Sequence, residues 1–63
     1  MKITELIAGN EIILPFYKDV FSVTTAAVAV DDDEVPGYYR VDGIFRGEPM
    51  TITAPGDTEY DEV

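Results

Sequence analysis

The side chains able to do chemistry in this sequence are almost all carboxylates. Thirteen Asp and Glu stand against four Lys and Arg in 63 residues, giving a net charge of −9, and the chain has neither His nor Cys. The densest run is Asp31-Asp32-Asp33-Glu34. As the start of a calcium loop it supplies acids at the first and third positions. The fifth is then Val35, the sixth Pro36 in place of Gly, and the twelfth Asp42 in place of Glu, so the EF-hand pattern fails. A solvated turn kept open by mutual repulsion is the simpler reading, with weak divalent-cation binding as its alternative. Paired carboxylates can run acid–base chemistry, but a chain this short offers no deep cleft to desolvate one of a pair and raise its pKa. Ser22 has no His to activate it, and no Gly-rich loop cradles a phosphate. The sequence therefore predicts no catalysis and implies neither metal nor cofactor.

Two other features could carry function. The acids cluster in Asp31, Asp32, Asp33 and Glu34 and again in Asp57, Glu59, Asp61 and Glu62. Such a surface repels nucleic acid, which needs Lys and Arg to replace its counterions, yet it can attract the basic groove of a nucleic-acid-binding protein. Plain solubility is the alternative use of the same charge. The aromatics Phe16, Tyr17, Tyr38, Tyr39 and Tyr60 could line a groove for an extended peptide. Alternatively Phe16, Phe21, Tyr39 and Phe45 form the core, with Tyr17 and Tyr38 as half-exposed caps.

These residues must be positioned by short strands. An apolar fraction of 46% and an aromatic fraction of 11% argue for a folded chain despite the charge. The length allows one domain, residues 1–63, with little stability margin, so a homo-oligomer stays open as a source of further burial. Residues 3–8 read as a helical or 3-10 turn capped by Thr4 and anchored by Ile3, Leu6 and Ile7, ended by Gly9-Asn10. Residues 11–17 read as a strand with Pro15 at an edge, a bulge or the strand's end, followed by a turn at Lys18-Asp19. Residues 20–30 read as one long curved strand. Asp31–Gly37 is a loop. Residues 38–46 read as a strand in which Asp42-Gly43 is a bulge in preference to a hairpin turn, with Tyr39, Val41 and Phe45 inward. It turns at Gly47-Glu48-Pro49 into the alternating Met50–Thr53. Pro55–Thr58 ends that strand, and Glu59–Val63 is a short closing strand or a frayed end. No run approaches the roughly 20 apolar residues of a membrane span, and the opening residues lack the pattern of a signal peptide, so the cytosol is the expected compartment.

About five short β segments joined by turns predict an all-β chain closed into a small barrel. The layout resembles small SH3-like barrel proteins common in actinobacterial and bacteriophage genomes. The matching pieces are Leu6, Gly9-Asn10 before Ile12-Ile13, Arg46-Gly47, and Pro55-Gly56-Asp57-Thr58, spread over nearly the whole chain. Asn10 stands where that family more usually has Asp. The resemblance implies an SH3-like fold and a phage or mobile-element origin, without specifying an activity. The expected function is a non-catalytic protein-binding module, a phage-type accessory factor whose protein partner carries a basic face. Its sharper form is an inhibitor that mimics nucleic acid. The contacts would be Asp31, Asp32, Asp33, Glu34, Asp57, Glu59 and Asp61, with Tyr38 as apolar anchor. The alternative is a structural subunit or decoration component of a virion or other assembly.

Overall fold

Period-two alternation writes most of the architecture. In Glu11–Leu14 (β1), Ile12 and Leu14 are buried and Glu11 is exposed; in Asp19–Val23 (β2), Phe21 and Val23 take the inner face. Val28–Ala29 (β3), Tyr38–Phe45 (β4), Glu48–Pro55 (β5) and Asp61–Glu62 (β6) complete the strands, and one 3-10 turn, Ile3–Glu5, precedes them. The computed structural model describes residues 1–30 and 37–63. The acidic run Asp31–Glu34, with Val35 and Pro36, lies outside the described residues.

Every pairing is antiparallel, and β4 is the axis of the sheet. β5 follows one edge of β4 from Phe45↔Glu48 to Tyr38↔Pro55, while β2 and β3 share the other edge. β1 lies beyond β2, and β6 beyond β1. The chain is thus all-β, a single open antiparallel sheet of six strands rather than about five. Its margins, β5 and β6, are neighbours in sequence, and among the described residues they do not pair. The expected closure is missing for a local reason: β6 has two residues, both committed to Ile12 and Ile13, and β5 carries prolines at Pro49 and Pro55 that cannot donate to a further ladder.

Among the described residues ten apolar side chains form the core, with Phe21, Ile3, Leu6, Ile12 and Val41 at its fully buried centre. Fully burying side chains of this size contributes about 1.5–3 kcal/mol each. Ile3 and Leu6 arrive from the 3-10 turn, held in place by the Ile3 amide donating to Thr58 (2.9 Å) and by the Lys2↔Glu59 bridge. The cap of that turn is Lys2 and not Thr4: the Glu5 carboxylate accepts from the Lys2 amide at 2.7 Å. Ile7, expected to anchor the turn, is exposed.

Three local expectations are corrected along β4. Asp42-Gly43 is neither a hairpin turn nor a bulge in β4, because both residues stay in one-to-one register with Thr51 and Met50. The excursion is on the opposite strand. Val23 pairs with Gly43 and Val28 with Arg40, so residues 24–27 face only Val41 and Asp42. The stretch 20–30 is therefore split into β2 and β3. Thr24 and Thr25 both donate to the Asp42 carbonyl, at 3.0 and 3.3 Å, and Ala27 donates instead to Leu6. The turn after β4 is Arg46-Gly47, with φ of 53° and 80°, rather than Gly47-Glu48-Pro49. Two successive positive φ values give the primed two-residue turn whose twist matches a hairpin.

Gly43 is required by a close approach. A Cβ there would run into the Ser22 carbonyl oxygen of β2 and would lie 2.6 Å from Cζ of Phe21, the largest fully buried side chain. Gly43→Ala should therefore cost about 1–3 kcal/mol of stability through overpacking, read as a lower midpoint in chemical denaturation. An unchanged midpoint would show that β2, with Ser22 and Phe21, does not lie this close to the β4 backbone.

Candidate functional site

The topology gives the molecule two chemically different ends. At one, the β1–β2 and β4–β5 turns meet, because Phe21↔Phe45 pairing brings Asp19 beside Arg46. At the other, Gly37, just before β4, meets Gly56, just after β5.

The first end is aromatic. Pro15 terminates β1, and Lys18, at φ 55° with its amide on the Leu14 carbonyl (2.6 Å), reverses the chain. This turn projects Phe16 outward, where it is 89% exposed, so Phe16 is not part of the core. Its ring meets Tyr17 edge-on at 5.2 Å, and Tyr17 meets Phe45 at 5.0 Å. The Arg46 guanidinium lies 4.9 Å from the Phe45 ring centre and 5.8 Å from that of Tyr17, an arrangement worth about 0.5–1 kcal/mol at an exposed site. Arg46 Nε also donates to Asp19 Oδ2 at 2.9 Å. That hydrogen bond, and a second from the Val20 amide, hold the Asp19 carboxyl below its ordinary pKa.

The second end is acidic. Tyr38, half-buried at the start of β4, stands opposite Pro55, and its carbonyl accepts from Val30 at 2.9 Å. The Gly56 amide donates to Gly37 at 2.9 Å. Gly37 is the first described residue after Asp31–Glu34 in the sequence, and this bond sets it beside Gly56 and hence beside Asp57. Glu59 lies further along, bridged to Lys2 and 3.3 Å from the Met1 amino group. Asp61 stands on β6 opposite Ile13, diagonal to Glu11 on the same face, and Glu62 is opposite Ile12. Tyr38 and Asp57 are thus brought together, whereas Asp61 belongs to the β1–β6 margin. Asp57, Glu59 and Asp61 are all exposed. Among the described residues no group of three or more acidic side chains could hold a metal ion.

Beside the aromatic end lies a cleft of about 420 Å³, and of the five aromatics read from the sequence as able to line a groove it is lined by Phe16, Tyr17 and Tyr60, and not by Tyr38 or Tyr39. Leu14, Phe16 and Tyr17 line one wall, Met50 and Ile52 the other, with Tyr60 also lining it. It occupies the space where β5 would need a partner for the sheet to close. Burial raises the Tyr60 phenol above its usual pKa. The signal for this cleft was present in the prolines of β5, which mark a sheet edge.

No protein-family description, curated protein or solved structure matches the chain. Among the described residues no helix is long and apolar enough to cross a membrane.

The two shifted groups give opposite pH dependences. Asp19, with its pKa lowered, contributes stability above the ordinary carboxylate range that is lost as pH falls through its depressed value. Asp19→Asn should therefore be less stable than the parent at neutral pH, with the gap narrowing below about pH 4. A gap independent of pH would contradict the Arg46 pairing. Tyr60, with its pKa raised, contributes stability that is present below about pH 10 and is lost as pH rises further.

Proposed function

We propose that this chain is a non-catalytic, acidic protein-binding module on an SH3-like half-open barrel, and that its protein partner presents a basic surface. The observation that carries this reading is the imbalance of charge around the acidic end. The net charge is −9, and one of the few cations, Arg46, is already engaged by Asp19, Phe45 and Tyr17 at the far end. The carboxylates of Asp57, Glu59 and Asp61 follow one another at alternate positions on an exposed segment beyond β5. With Asp31, Asp32, Asp33 and Glu34 they supply a field that steers a basic partner, and Tyr38, brought near Asp57 by the Gly37–Gly56 contact, offers an apolar anchor. In its sharper form the carboxylates stand in for phosphates in the groove of a nucleic-acid-binding enzyme, as a phage-type accessory protein acting in the host cytosol would use them.

A structural role in a virion or other assembly is the second reading, and the exposed Phe16 favours it, since large exposed apolar groups serve assembly contacts.

The test is capture from host lysate by the tagged chain at low and high salt, followed by association kinetics with the retained protein. Asp32→Lys with Asp33→Lys should slow association by about tenfold and flatten its salt dependence, and Asp57→Lys with Asp61→Lys should act the same way. On-rates equal to the parent's in both variants would overturn the acidic-surface reading. Retention that survives high salt but fails in Phe16→Ala would favour the assembly role.

A further inference from the structure

The outer edge of β5 has a symmetry that its sequence and register together reveal. On β4 the carbonyls of Asp42 and Tyr38 are bonded by Thr24, Thr25 and Val30 on the β2–β3 side. Backbone groups alternate sides along an antiparallel strand. Tyr38, Arg40, Asp42 and Ile44 therefore aim their backbone groups away from β5. Their partners Pro55, Thr53, Thr51 and Pro49 must then aim theirs away from β4, toward the open margin. Met50, Ile52 and Ala54 use theirs on β4. The edge thus presents, in order, a proline, a threonine, a threonine and a proline, symmetric about Ile52. Among the described residues nothing else bonds the Thr51 and Thr53 amides.

From this we infer that the β5 edge pairs with the β5 edge of a second copy of the chain, antiparallel about a twofold axis through Ile52. Thr51 of each copy then faces Thr53 of the other, and each such pair exchanges both of its backbone hydrogen bonds. Pro49 faces Pro55, so no amide donor of either copy is left without an acceptor at the ends of the ladder. The same prolines exclude shifted registers, because a slip sets a proline nitrogen where a donor is required. A twofold pairing of identical patches is the closed arrangement expected of a homodimer.

Charge selects this occupant. From Met50 to Pro55 the strand has no ionisable side chain, in a chain of net charge −9. Asp42, one strand inward, has its carboxylate engaged by the Thr51 hydroxyl at 2.6 Å. A basic strand would be drawn to the carboxylates, whereas this neutral strip is matched by its own copy. The pairing also turns Met50 and Ile52 of both copies to one face, toward the clefts lined by Leu14 and Phe16. A stable dimer buries about 800 Å² per partner, roughly a fifth of this molecule's 4207 Å². One strand edge with a cleft buries less, so the dimer is a weak one. It does not rest on the acidic-partner reading.

Sedimentation equilibrium of the full chain from about 10 µM to about 1 mM tests this, repeated at about 50 mM and about 500 mM NaCl. The expected result is a monomer–dimer equilibrium that tightens severalfold with salt, because screening relieves the repulsion between two acidic copies. Thr53→Pro removes an outward donor without touching the β4 ladder and should weaken dimerisation at least tenfold while far-UV circular dichroism is unchanged. Thr51→Pro is the independent second variant. Monomer at every concentration, or a dimer indifferent to both proline variants, would overturn the inference. So would a monomer whose Thr51 and Thr53 amide resonances move only on adding an unrelated extended peptide, which would give the edge to a foreign strand.

Discussion

With no Cβ at residue 43, the Phe21 ring can lie against the β4 backbone, and the packing of the core follows from that contact. Phe21 reaches the centre of the core from β2, Val41 and Phe45 flank Gly43 on β4, and Ile3, Leu6 and Ile12 enclose them. A chain of this length has almost no surplus of apolar burial over conformational entropy, so one well-filled centre carries a large share of its stability. The same crossing fixes the register of β2 on β4, while the two-residue turn at Arg46-Gly47 fixes that of β5 on β4. Which backbone groups of β5 face the margin follows from that turn.

The two ends of the molecule are separated by this core. At the aromatic end an arginine at positive φ is held by stacking on two rings and by Asp19. Placing a non-glycine residue at positive φ costs about 1–2 kcal/mol, which the cation–π contacts and the hydrogen bond offset. At the acidic end the anchoring contacts are backbone to backbone, Gly56 to Gly37 and Val30 to Tyr38, leaving the carboxylate side chains of Asp57, Glu59 and Asp61 exposed. Of these, Glu59 is ion-paired with the Met1 amino group. Between the ends, the neutral β5 edge is a third and chemically distinct surface. The acidic end and this edge can be used independently.

Much of the strand order was legible locally. Alternation in Met50–Thr53 and the turn residues around Gly9-Asn10 announced β5 and the entry to β1, whereas the choices left open at Pro15 and in the tail resolve as the end of β1 and as the short β6. The failures were non-local. Residues 20–30 have uniform strand propensity, and what divides them is that Thr24 and Thr25 share one acceptor on Asp42 while Ala27 turns to Leu6. Phe16 reads as core by residue type, but a turn closed by Lys18 sends it to solvent. Asp57, Glu59 and Asp61 were identified by charge alone, and structure separates Asp57, beside the Gly37–Gly56 contact, from Asp61 on the β1–β6 margin. The symmetry of Pro49, Thr51, Thr53 and Pro55 is written in the sequence, but it acquires meaning only from the register with β4.

Residue-resolved amide hydrogen exchange in dilute protein, where copies do not meet, tests most directly the claim that β4 fixes the outward-facing groups of β5. The account predicts protected amides at Met50, Ile52 and Ala54, alternating with fast exchange at Thr51 and Thr53. Uniform protection along the strand, or the opposite alternation, would contradict it.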